Sequence, residues 1–123
     1  MDKQIKISEA QDRFDNVSFS NVIENGKSLP LFATYTCPVC DEQIRFTKSN
    51  LEQRAKRDFS NLSREHQMLF NKTAQGQQFN NLEFLDWYCQ NCKLPVRAYL
   101  NNWAGGKHGD AGADIIYVLE IFD

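Results

Sequence analysis

Cys37-Pro38-Val39-Cys40 and Cys89-Gln90-Asn91-Cys92 contain all four cysteines of this 123-residue chain. In each stretch two thiols are separated by two residues, so both can reach one ion while amides of the intervening turn donate to the sulfurs. Two such pairs supply the four thiolates of a closed tetrahedral zinc shell. That shell leaves no open position for water, so the pattern predicts a structural centre rather than a hydrolytic one.

Two other chemistries use similar residues. Disulfide exchange through Cys37-Pro38-Val39-Cys40 calls for a helix N-terminus at the first cysteine, where the dipole lowers its pKa. Residues 42–47 read instead as strand, and that reading leaves the second pair without a purpose. A single-iron or iron–sulfur centre is the metal alternative.

Residues 31–36 are rich in β-formers and run into the first pair, and in residues 42–47 Ile44 and Phe46 alternate with Gln43 and Arg45. Residues 82–89 enter the second pair and residues 96–103 leave it. Each pair is therefore expected at the tip of an antiparallel hairpin. The two units look like copies of each other. Ile44-Arg45 follows Cys40 at the offset by which Val96-Arg97 follows Cys92, and Tyr35 and Tyr88 stand shortly before the pairs.

On these residues the chain resembles the zinc-ribbon class, over about residues 33–47 and 85–100. The resemblance implies two knuckled hairpins clamping one Zn2+ through Cys37, Cys40, Cys89 and Cys92. Ribbon knuckles often carry glycine after the second cysteine, where this chain has Asp41 and Lys93. The span from Cys40 to Cys89 is also longer than in minimal ribbons, which makes it an insertion with its own packing.

That insertion, residues 48–75, reads as helical. Ser49-Asn50-Leu51-Glu52 fits a capping box, and Leu51, Ala55, Phe59, Leu62, His66 and Leu69 recur at helical spacing. Ser60-Asn61 is a candidate break and Gln75-Gly76-Gln77 the expected stop. His66, on the stripe, is expected to be a hydrogen-bonded core residue rather than a ligand. The last strand, residues 113–122, has apolar residues on both faces through Ile115-Ile116-Tyr117-Val118-Leu119, which predicts a central position or helix cover on one side. Residues 1–30 carry less signal: alternation around Val17 to Ile23 and the pair Asn25-Gly26 suggest a strand and hairpin, while Phe14, Val17 and Val22 also suit a helix. The expected architecture is one α+β domain over residues 1–123, with zinc-ribbon-like antiparallel hairpins, a helical insertion between the knuckles and a C-terminal strand.

A hydrophobic share of 41% and nine phenylalanines predict a globular chain. The net charge of −2 and pI near 5.7 give no global reason to bind nucleic acid or membrane. No apolar run follows the N-terminus and no stretch approaches the ~20 residues of a membrane span. The expected location is cytoplasmic, a reducing compartment where paired cysteines hold metal. Charge is nevertheless uneven. Seven basic residues against three acidic ones between positions 45 and 72 give +4, leaving −6 on the rest.

Candidate partner-binding residues are Arg54, Arg57 and Arg64, which can share a helix face, and Trp103, Lys107, His108 and Asp110 in and beside the glycine-rich stretch 104–112. No nucleophile-and-base constellation is visible. Asp86 and Asp114 are two carboxylates with nothing to set their separation. The expectation is a non-catalytic domain that binds a macromolecule, first a protein in an inhibitor or immunity-type role, alternatively a nucleic acid through residues 48–72, with no small-molecule substrate.

Overall fold

The computed structural model describes residues 3–20, 23–24, 27–28, 32–47, 61–104 and 111–122. Their strands are, in chain order, β1 (Gln4–Glu9), β2 (Ser18–Ser20), β3 (Ile23–Glu24), β4 (Lys27–Ser28), β5 (Phe32–Thr36) and β6 (Gln43–Thr47). Helix α1 (Arg64–Ala74) follows, then β7 (Glu83–Tyr88), β8 (Pro95–Ala104) and β9 (Ala111–Phe122). A five-stranded antiparallel sheet runs β1-β9-β8-β7, with β2 also pairing β9, and β5 and β6 form a separate hairpin. The expected α+β mixture is present. β9 has the predicted interior position, between β8 on one side and β1 and β2 on the other.

Period-two alternation divides the sheet residues between two cores. Phe84, Tyr99, Leu119 and Ile121 pack with Leu62, Phe70, Ala74 and Phe79, so α1 and its flanks cover that face. Leu85, Trp87, Val96, Ala98 and Val118 face the other way, against Phe14, Ala33, Tyr35 and Phe46. The β5–β6 hairpin is docked largely through aromatic contacts: Trp87 lies 5.1 Å from Tyr35 and 4.8 Å from Phe46, ring centre to ring centre. Trp87 is buried, as its strand pattern predicts. A register shift between Tyr99 and Leu100 leaves Ile116 as an extra residue on β9. The bulge changes the face on which later side chains fall, and it lets Ile115 join Val118 in one core although three positions separate them.

Each core contains a buried ionic group. On the α1 side Arg97 makes two parallel bonds to Asp86, Nε to Oδ1 at 2.7 Å and Nη2 to Oδ2 at 3.0 Å, and its Nη1 donates to Asn71 Oδ1 at 2.6 Å. The guanidinium lies 3.8 Å from the centre of the Phe84 ring. On the other side buried Glu120 accepts from Arg13 Nε at 2.9 Å and from the Tyr35 hydroxyl. The Arg13 backbone carbonyl accepts from Thr36 N at 3.0 Å, so residues 10–15 tie β9 to the β5–β6 hairpin.

Tyr35 makes part of the stability pH-dependent. Burial, with the Glu120 carboxylate beside it, holds the phenol well above its ordinary value of 10.0. The folded protein keeps this proton where the unfolded chain gives it up. The contribution is therefore complete below about pH 10 and declines as pH rises further, by up to about 1.4 kcal/mol per pH unit. Urea unfolding followed from about pH 9 to about pH 11.5 is expected to show that slope, and Tyr35→Phe to reduce it.

Several expectations shift. The chain is not helical at residues 61–63; α1 starts after Ser63, whose side chain caps the amide of His66. Its buried residues are Phe70 and Ala74, not a stripe through Leu62, His66 and Leu69. Leu62 is buried, but from the turn before the helix, so the phase read upstream does not carry through. The stop is placed as expected, with Gly76 at φ +80°. Pairing of Ile23 with Ser28 and of Glu24 with Lys27 matches the hairpin expected around Asn25-Gly26, although those two residues lie outside the described ones. β1 was not anticipated: Ile5 and Ile7 alternate among polar residues, and β9 supplies the edge that makes the segment a strand. The capping box at Ser49 and the stripe from Leu51 to Phe59 lie outside the described residues.

Candidate metal centre

The two knuckles have the same backbone. Cys37 N donates to Glu42 O and Cys89 N to Leu94 O, both at 2.9 Å, and Asp41 N and Lys93 N return to the carbonyls of Cys37 and Cys89 at 3.0 and 2.9 Å. The residue after the second cysteine is left-handed in both, with φ +64° at Asp41 and +65° at Lys93. That conformation brings a side chain's Cβ against the following carbonyl, which is why glycine is common there. Lys93→Gly is expected to raise stability by about 0.5–1 kcal/mol, measurable as a higher urea midpoint with unchanged metal content.

The knuckles bring all four sulfurs within 4.8 Å of one another. Across the two turns, Cys37 and Cys92 are 3.6 Å apart and Cys40 and Cys89 3.5 Å. A tetrahedral ion with sulfur at 2.3 Å requires sulfur–sulfur edges of about 3.8 Å, so the cluster fits a four-thiolate ion with little adjustment. The donors around the sulfurs fit one too. Backbone amides of Cys40 and Val39 serve Cys37, that of Glu42 serves Cys40, and that of Leu94 serves Cys92. Aimed at thiolates, such amides offset the negative charge that four sulfurs concentrate around one divalent ion.

Considered as free thiols, the cysteines differ. Burial pushes Cys37 up to about 12 and also raises Cys92, whereas the Asn91 side chain and the Glu42 amide bring Cys40 down to about 6. Asn91 sits on the second knuckle and serves a sulfur of the first, a role that adjacency in sequence does not reveal. Asn91→Ala is expected to weaken metal binding about 10–100-fold while leaving all four ligands in place, as read by competition with a chromogenic chelator.

The other candidates are dispersed. Arg64 is exposed at the start of α1, and Trp103 lies in β8, its backbone opposite Gly112. Arg54, Arg57, Lys107, His108 and Asp110 lie outside the described residues. His66 is part-buried, its Nδ1 2.7 Å from the Tyr88 hydroxyl, in keeping with a structural role. Asp86 and Asp114 have separate partners, Arg97 for the first and the Ser18 hydroxyl at 2.7 Å for the second. Arg97 as a core ion is not among the residues that motif and spacing single out. Its signal was a charge placed between Val96 and Ala98, facing a strand that itself carries Asp86 among apolar residues.

No helix among the described residues is long and apolar enough to cross a membrane. Comparison with protein-family models, with curated proteins and with solved structures found no match to this chain.

Proposed function

We propose that this chain is a non-catalytic binding module, stapled by one structural zinc ion and recognising another protein. Cys37, Cys40, Cys89 and Cys92 would hold the ion, which supplies no reactive position because all four sites are thiolates. Its task is mechanical: it joins the β5–β6 hairpin to the β7–β8 hairpin at the end where their tips meet. Both buried carboxylates described above are bound to arginines, an arrangement suited to holding layers together rather than to moving protons.

The observation that carries the protein-partner reading is apolar exposure at two places. Met68 on α1 is 63% exposed and Val39 at the first knuckle 56%. Met68 borders a groove of about 550 Å³ with Leu69, Asn71 and Lys72, and apolar and polar side chains side by side are what protein partners cover. An inhibitor or immunity-type role is one form of this reading. The alternative, nucleic-acid binding, has in its favour exposed Arg64 and Lys72 on α1.

Mobility shifts with single- and double-stranded DNA and with RNA over a range of salt test the choice. The protein-partner reading expects no shift even at low salt; a shift whose affinity falls steeply with salt would favour nucleic acid. Met68→Asp should also abolish stoichiometric co-purification of a native partner while leaving the zinc content at one.

A further inference from the structure

The four sulfurs are unequal in accessibility, and two contacts of hydrogen-bond length run between them. Cys37 and Cys89, the first of each pair, are buried; Cys40 and Cys92, the second, are part-exposed. The contacts of 3.5 Å for Cys40–Cys89 and 3.6 Å for Cys37–Cys92 run from one knuckle to the other. Each joins a shielded sulfur to an accessible one. These separations approach the roughly 3–3.5 Å from which reacting atoms proceed.

We propose that the centre is an oxidation site for hydroperoxides, entered at Cys40 or Cys92, and that its products are the cross-knuckle disulfides Cys40–Cys89 and Cys37–Cys92. The proposal rests on the zinc reading above. In the first step the Cys40 thiolate attacks one oxygen of hydrogen peroxide. A sulfur–oxygen bond forms, the oxygen–oxygen bond breaks and hydroxide leaves, so that Cys40 becomes a sulfenic acid. The Cys89 thiolate then attacks the Cys40 sulfur, forming the disulfide and expelling a second hydroxide. Two protons from solvent convert the hydroxides to water. The sulfur pair loses two electrons, the peroxide gains two, and the zinc stays divalent. With two of the four thiolates consumed, the remaining pair would no longer retain the ion. A second peroxide oxidises Cys92, and Cys37 closes the other bridge in the same way.

The pairing decides what oxidation does to the fold. Bridges within each pair would separate the two knuckles once the ion had gone. Bridges across the pairs keep the β5–β6 and β7–β8 hairpins joined, exchanging a metal staple for a covalent one. A thiol reductant with zinc would reverse the exchange.

Peptide mapping tests this on the unsubstituted protein. Native mass spectrometry first establishes one zinc per chain; the protein is then treated with hydrogen peroxide, alkylated and digested with trypsin. Peptide 28–45 carries Cys37 and Cys40, and peptide 73–93 carries Cys89 and Cys92. The expected result is zinc release together with 28–45 linked to 73–93, fragment ions placing a bridge between Cys40 and Cys89, and full zinc uptake after reduction. Separate peptides with internal bridges, sulfonic acids without bridges, or zinc retained in excess peroxide would each overturn the proposal and leave the zinc reading intact. Protein isolated without zinc and unable to bind it would overturn both.

Discussion

Removing one ligand, by Cys92→Ser, is expected to release the zinc and to cost the domain at least about 4 kcal/mol, a large part of the ~5–15 kcal/mol that holds domains folded. Cys92 is the ligand of choice because it is part-exposed, so a serine hydroxyl there brings little burial penalty of its own. Without the ion the β5–β6 hairpin retains the aromatic contacts of Tyr35 and Phe46 with Trp87 and the Arg13–Glu120 tie, but its knuckle loses its anchor. Thermal melting should fall by more than about 15 °C for a chain of this length. In the unsubstituted protein each tenfold rise in free zinc should add about 1.4 kcal/mol until unfolded chains also bind. Unchanged melting after exhaustive chelation would refute the staple.

Asp86→Ala is expected to destabilise by about 3–5 kcal/mol, because it leaves the Arg97 guanidinium buried without its carboxylate. That corresponds to a melting point lower by roughly 10–20 °C. The effect belongs to the broken pair and not to an inherent gain from burying ions. Replacing both members with apolar residues of similar size, Asp86→Leu with Arg97→Met, should recover most of the loss or exceed it. The double-mutant cycle separates the two explanations, since independent contributions would simply add. Metal content should stay at one throughout, as the pair lies on the opposite face of the sheet from the β5–β6 hairpin.

Arg45 and Arg97 show how far local pattern reaches. They occupy matched positions after the two cysteine pairs and read as equivalents in sequence. In the structure Arg45 is exposed on β6, while Arg97 is buried under α1. Alternation assigns a residue to one face of its strand, but not what covers that face. The knuckles behave differently, because a turn of four residues closed by its own backbone bonds depends little on the remainder of the chain.

The local features were legible in the residues alone: the four candidate ligands, the hairpin at each pair, the stop at Gly76 and the strand character of residues 113–122. All depend on short-range chemistry, namely sulfur spacing, turn geometry and period-two alternation. Tertiary structure decided the long-range ones. It set β1 against β9, placed Asn91 of one knuckle against Cys40 of the other, and rotated α1 so that Phe70 and Ala74 face the sheet. It also buried Asp86 and Glu120 on opposite faces, each with its arginine. The physical reason is that burial and partner choice depend on which layer packs against a face, and that is settled between segments far apart in the chain.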